Sequence, residues 1–219
     1  QGRTRFDKVH ELDAESRHLV LLCENEEGYR NLSYLVSMGW TEGFYIKPRI
    51  DLELLRQYSG GLIALSACLA GEIPRRLRNG EYENAKAYAL ELSHIFGPDR
   101  FYLELQDHGI RDQAIVNQGI LRIHRETGLP MVCTNDAHYL RKEDAEAHDV
   151  LLCIQTGKTI DDENRMRYEP RNFYLRSEEE MAALFAGYEG ALENTSKIAD
   201  MCNLDFSFGK YHLPEFRLP

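Results

Sequence analysis

The sequence predicts an α/β fold with a mainly parallel sheet or an α/β barrel. Three features carry that reading. Short apolar runs alternate with longer segments whose apolar residues recur at helical spacing. Glycine and proline mark the junctions, at Gly60–Gly61, at Gly97–Pro98, and at Gly128 with Pro130. Helix-length crossovers separate the runs, as parallel strands require and hairpins do not.

The first apolar run, His18–Cys23, reads as a buried strand. Asn25 stands where it can cap a helix over Glu26–Met38, with Leu32, Leu35 and Val36 on the apolar face. Gly39–Ile50 reads as a loop, and Asp51 caps a short helix carrying Leu54 and Leu55. The second strand is Leu62–Ser66, followed by a loop over Ala67–Gly71 and a short helix over Glu72–Arg78. Glu81–Phe96 is amphipathic and stops at the Gly-Pro pair. Phe101–Leu105 is the third strand, Asp112–Glu126 a helix, and Met131–Thr134 the fourth strand. The chain then turns helical over Lys142–Gln155, Glu178–Phe185 and Gly190–Met201, with a polar, arginine-bearing loop at Gly157–Asn172. Four strands are too few to close a barrel alone.

Composition narrows the function classes. Hydrophobic residues make up 43% of the 219, enough for a real core. A net charge of −10 argues against a main nucleic-acid grip, which needs clustered Lys and Arg. No apolar run approaches the roughly 18 residues that span a bilayer, so no membrane partner is expected. Gln1–Arg17 is too polar for a signal peptide. Cys23, Cys68, Cys133, Cys153 and Cys202 are odd in number and scattered, and read as reduced thiols of a cytoplasmic protein. The chain starts on Gln, so the natural polypeptide is expected to begin upstream.

Sites in parallel α/β folds sit at the C-terminal ends of strands. There, Asp136 and His138 follow the fourth strand two residues apart, which in extended backbone points both side chains the same way. A carboxylate and an imidazole so placed read as a metal pair, or as a turn Asp beside a surface His. Cys68 follows the second strand and reads as a thiolate ligand or as a small buried hydrophobe. Asp107 and His108 follow the third strand and either line the same rim or form a turn before the next helix. His18 opens its strand instead of closing it, which on parallel topology places it at the opposite rim as a core or capping residue. His148 reads as a helix-packing histidine. Arg75, Arg76 and Arg78 form one short basic patch, and Arg165, Arg167 and Arg171 another; both read as solvated faces or weak docking points. No Gly-rich phosphate loop, Gly-x-Ser-x-Gly elbow or Asp-x-Asp polymerase motif is present, so no catalytic residue is assigned in this chain.

Five ordered stretches carry a family resemblance: His18–Leu32, Gly61–Glu72, Thr134–Tyr139, His148–Lys158 and Phe173–Met181. Together they resemble the PHP (polymerase and histidinol phosphatase) domain of bacterial replicative DNA polymerase III α subunits. The resemblance implies a partial, distorted (β/α)7 barrel, related to the TIM barrel, followed by a helical exit segment. It implies a metal cluster of zinc or manganese in the intact domain, with His18, Cys68, Asp136 and His138 on the family's later ligand positions. It thereby moves His18 from the core to the site. The family's opening His-x-His, Asp-His and Glu ligands have no match before His18, so the N-terminal strands are expected to be missing. On this reading residues 1–205 are the PHP domain and 206–219 a linker towards a polymerase palm domain outside this chain.

The implied parent is a DNA-directed DNA polymerase using magnesium, with this segment as its accessory domain, structural or acting as a 3′–5′ exonuclease or phosphoesterase. Implied partners are DNA and deoxynucleoside triphosphates through other domains, the proofreading exonuclease subunit, the sliding clamp and other replicase subunits. The alternatives are a free-standing PHP phosphoesterase acting on a small phosphate monoester, and an interaction module without catalysis.

Overall fold

Four strands form one sheet in the order β1-β2-β3-β4: β1 (Val20–Cys23), β2 (Leu62–Leu65), β3 (Phe101–Leu105) and β4 (Met131–Cys133). This arrangement comes from a computed structural model that describes residues 3–211, 213, 215 and 216. The pairs β2–β3 and β3–β4 are parallel, as the crossovers predict. The pair β1–β2 is antiparallel, with Val20 opposite Leu65 and Cys23 opposite Leu62. The long connection between those two strands reaches either end of the sheet, so its length does not dictate direction.

Alternation along the strands divides the core. Leu62, Ala64, Leu103, Leu105 and Met131 belong to the larger cluster, packed with Leu92 and Ile120 of the helical layer. Ile63, Leu65, Tyr102 and Val132 pack with Ile198 on the other face. The central strands are therefore buried on both sides, whereas the edge strand β1 is half-buried throughout.

The helices follow the local signals closely. They are α1 (His10–Asp13), α2 (Glu26–Thr41), α3 (Leu52–Gln57), α4 (Glu72–Arg78), α5 (Tyr82–Phe96), α6 (Arg111–Thr127), α7 (Ala145–Thr156), α8 (Glu178–Leu184) and α9 (Glu193–Met201). Asn25 accepts from Gly28 N at 3.0 Å and Asp51 from Leu54 N at 3.0 Å, so both expected caps form. Ser177 and Glu180 close a capping box at the start of α8. Some details differ from the sequence reading, and α2 runs on to Thr41, into the loop expected from Gly39. The short helix α1 was not foreseen. The first strand begins at Val20, because His18 and Leu19 lie outside the ladder. The helix expected from Lys142 starts with a 3₁₀ turn over Lys142–Asp144, and the last helix begins at Glu193 instead of Gly190. Of the expected linker 206–219, residues 212, 214 and 217–219 lie outside the described residues.

Two glycines seat α2 on the sheet. A Cβ on Gly28 would lie 1.8 Å from the carbonyl oxygen of Gly61, which itself has φ +68° and accepts the Glu24 N–H at 2.9 Å. Backbone thus meets backbone where any side chain would wedge the helix away. Gly28→Ala is expected to cost about 1–3 kcal/mol, the usual range for overpacking. Urea unfolding checks this, and an unchanged midpoint would contradict it.

Candidate functional site

The strand directions decide which residues share a rim. The C-terminal ends of β2, β3 and β4 lie together because these strands are parallel, and the start of β1 joins them because β1 is antiparallel to β2. The expectation that His18 lies at the opposite rim is therefore overturned. The His18 N–H donates to Ala70 O at 3.1 Å, and Nδ1 lies 3.6 Å from Cys68 Sγ. The loop after β2 is tight enough to require Gly71, where a Cβ would lie 2.3 Å from Ser66 O. Burial pushes the Cys68 thiol above its ordinary range, and the negative charges of Asp136 and Glu104 push it further. Without a cation beside it, this thiol stays protonated and is a poor nucleophile.

Asp136 and His138 approach each other by a different route from strand alternation. Asp136 has φ +45°, in the left-handed region, so its backbone is not extended. Its Oδ1 nevertheless lies 3.6 Å from His138 Nε2. The His138 N–H donates to Phe173 O at 2.8 Å, and the ring packs against Tyr168, with centroids 4.6 Å apart. His148 of α7 touches the same aromatic group, 5.7 Å from His138. Burial and the neighbouring His138 hold the His148 imidazole below its ordinary pKa. The loop bearing Tyr168 is pinned by a two-pronged pair from Arg165 to Asp149, at 2.5 and 2.7 Å. Arginines of both basic patches are likewise engaged: Arg75 and Arg76 bind Glu72, Arg78 lies 3.6 Å from Asp112, and Arg171 lies 3.7 Å from Glu146.

His108 is fully buried and does not line the cleft at the rim. Its Nε2 donates to Asn135 O at 2.8 Å, because a carbonyl only accepts. Nδ1 then accepts from Gln113 Nε2 at 2.9 Å, which requires the neutral ring. Phe173 stacks on that ring at 4.2 Å. His108 thus holds the segment that leads into Asp136. Asp107 accepts from Gly109 N at 2.8 Å in a local turn ahead of α6.

Glu104 is a rim residue that the sequence reading treated only as part of its strand. It is 5% exposed, yet its carboxylate borders the cleft. It accepts from Ala67 N at 2.9 Å, Thr134 Oγ1 at 2.5 Å and Gln106 Nε2 at 3.2 Å. Burial pushes its carboxyl up, and those hydrogen bonds oppose the shift. Polar residues on a strand buried on both faces were the only available signal. The cleft itself has a volume of about 1000 Å³ and runs from Arg5 and Arg49 past His18 and Cys68 to Glu104 and Asp136.

The donor set is chemically apt for a divalent ion, combining imidazole, thiolate and carboxylate. It stands as two pairs, His18 with Cys68 and Asp136 with His138. Among the described residues no group of three or more His, Cys, Asp or Glu is gathered to hold an ion. Zinc needs three or four ligands, so these residues alone do not complete a cage.

A family model described as PHP domain matches residues 4–108, which include His18, Cys68 and Glu104. A relative from Borreliella burgdorferi is 47% identical over 97% of the chain and is named DNA polymerase III subunit alpha. Relatives of the same name from Thermus aquaticus and Treponema pallidum are 46% and 42% identical over 100% and 99% of it. The chain carries a PHP domain of the DNA polymerase III subunit alpha type. It spans about 18% of the length of these relatives. Asp136 and His138 lie beyond the segment matched by the family model but inside the span shared with the relatives. No helix among the described residues of this PHP domain is long and apolar enough to cross a membrane.

The buried neutral His108 gives the PHP domain a pH dependence with a definite sign. Its folded pKa lies below 6.5 because burial disfavours the charged ring. The unfolded chain therefore takes up the proton first. The stability contribution is complete above 6.5 and is lost as pH falls through that value towards the folded pKa. Urea midpoints are expected to drop between about pH 7.5 and about pH 5.5, with His148 adding in the same direction. His108→Gln should flatten that slope, and an equal slope in the variant would contradict the assignment.

Proposed function

We propose that this chain is the accessory PHP domain of a replicative DNA polymerase, a DNA-directed enzyme whose polymerase active site lies in other parts of a longer polypeptide. The observation that carries this reading is 42–47% identity across nearly the whole chain to proteins named DNA polymerase III subunit alpha. The full polypeptide would engage DNA, deoxynucleoside triphosphates and magnesium through its other domains. It would work in the cytoplasm with the proofreading exonuclease subunit, the sliding clamp and other replicase subunits. Residues 206–219 would lead towards the palm, and strands outside this chain would complete the distorted (β/α)7 barrel around the open cleft. A free-standing phosphoesterase is not favoured, since the matching relatives carry the polymerase name.

Within this reading, His18, Cys68, Asp136 and His138 supply part of a divalent-metal ligand set for zinc or manganese. The remaining ligands would come from elsewhere in the polypeptide. Support comes from the two donor pairs standing on one rim, each with its atoms 3.6 Å apart. A bound ion would favour the Cys68 thiolate that burial otherwise opposes. Either a structural role or hydrolysis of phosphodiesters fits such an ion.

The test uses the full-length polymerase. Elemental analysis should find near-stoichiometric zinc or manganese, lost when Asp136→Ala and His138→Ala are combined. No metal in either protein would sink the metal reading and leave a scaffold. Failure of the full-length protein to extend primed DNA with magnesium and nucleotides would sink the polymerase reading itself.

A further inference from the structure

Glu104 stands on β3, between β2 and β4, and its two carboxylate oxygens reach in opposite directions. One accepts the backbone N–H of Ala67, the residue before Cys68. The other accepts the hydroxyl of Thr134, two residues before Asp136, and the side-chain amide of Gln106. Each loop also turns through a non-glycine residue in the left-handed region, Ala67 at φ +64° and Asp136 at φ +45°. Such conformations persist when surrounding contacts over-determine them. In both loops a bond to the same buried carboxylate lies within two residues of the turn.

We propose that Glu104 is a positioning residue that sets the Cys68 loop and the Asp136 loop together, so that the two donor pairs of the rim are held as one unit. Three donors converge on Glu104, and a carboxylate is the side chain that accepts from all of them. A glutamine offers one oxygen and turns an NH2 towards a donor. An alanine leaves buried donors without partners. The backbone of Glu104 is itself fixed, since its N–H donates to Ser66 Oγ at 2.7 Å. The carboxylate is thus anchored to the end of β2 before it reaches across to the end of β4. His108 supports the same segment from below through Asn135, but it does not touch the Cys68 loop among its hydrogen bonds. Among the described residues, only Glu104 bonds to both loops.

What the rim binds rests on the function proposed above; the coupling of the loops does not. The experiment is therefore run on the full-length protein stripped of metal with a chelator, so that absence of metal and failure of coupling are separate results. Amide hydrogen exchange is followed by mass spectrometry in wild type and Glu104→Gln. Exchange over residues 66–71 and 134–139 is expected to rise together, by at least about tenfold, while α5 and α6 keep their protection. Wild-type exchange in either loop, or a rise spread evenly over the domain, overturns the proposal. Thr134→Val, which cuts one arm only, provides the second arm of the test. It should quicken alkylation of Cys68, read by peptide mapping, and Thr134→Ser should restore the wild-type rate. Cys68 alkylation at the wild-type rate in Thr134→Val overturns the coupling even if Glu104→Gln does not fold.

Discussion

The antiparallel pairing of Val20–Cys23 with Leu62–Leu65 determines where the candidate donors stand. Had β1 run parallel to its neighbour, His18 would lie at the far end of a four-residue strand. That is roughly 13 Å away at about 3.3 Å per residue. As it is, the imidazole and the Cys68 thiol lie 3.6 Å apart. The close approach of Gly28 to Gly61 belongs to the same constraint, because it seats α2 where β1 leaves the sheet and β2 enters it. Packing of α2, direction of β1 and position of His18 are thus one problem with one solution.

The rim is polar on top of a sheet buried on both faces. Glu104, Gln106, His108 and Gln113 are all nearly inaccessible, and burial of such groups is costly without partners. Their hydrogen bonds run between the strand ends, so the burial cost is offset only when the loops adopt this arrangement. Of these rim groups, Gln106 Oε1 remains buried without a partner, as do the Tyr82 and Tyr102 hydroxyls elsewhere among the described residues. The surface ion pairs contribute differently. Pairs such as Arg30 with Glu26 are solvated and worth little to stability. The Arg165–Asp149 pair is more enclosed and fixes the loop that brings Tyr168 against His138.

The PHP domain spans a small part of the length of its relatives. The sheet ends on a half-buried strand, and the cleft beside it is open along apolar residues such as Leu19, Leu21 and Ile73. His18, Cys68 and Asp136 border this cleft.

Local sequence signals were sufficient for most elements. Asn25 and Asp51 announced their helices because a cap acts within three residues, and the Gly-Pro pair after Phe96 ended α5 for an equally local reason. Asp136, His138 and Cys68 were legible as candidates because polar donors stood directly after apolar runs. His18 was legible only through family resemblance, since its place depends on strand direction. Glu104 carried only the weak signal of a polar residue on a buried strand, and the supporting role of His108 was not legible. Their partners lie far along the chain, Ala67 at 37 residues from Glu104 and Asn135 at 27 from His108. Periodicity and punctuation report which face is apolar and where the chain turns, and to that extent the sequence alone determined the α/β class and the donor types. Strand direction, the shared rim and the hydrogen bonds across it were decided by tertiary structure, because they arise from packing between segments that local propensity does not connect.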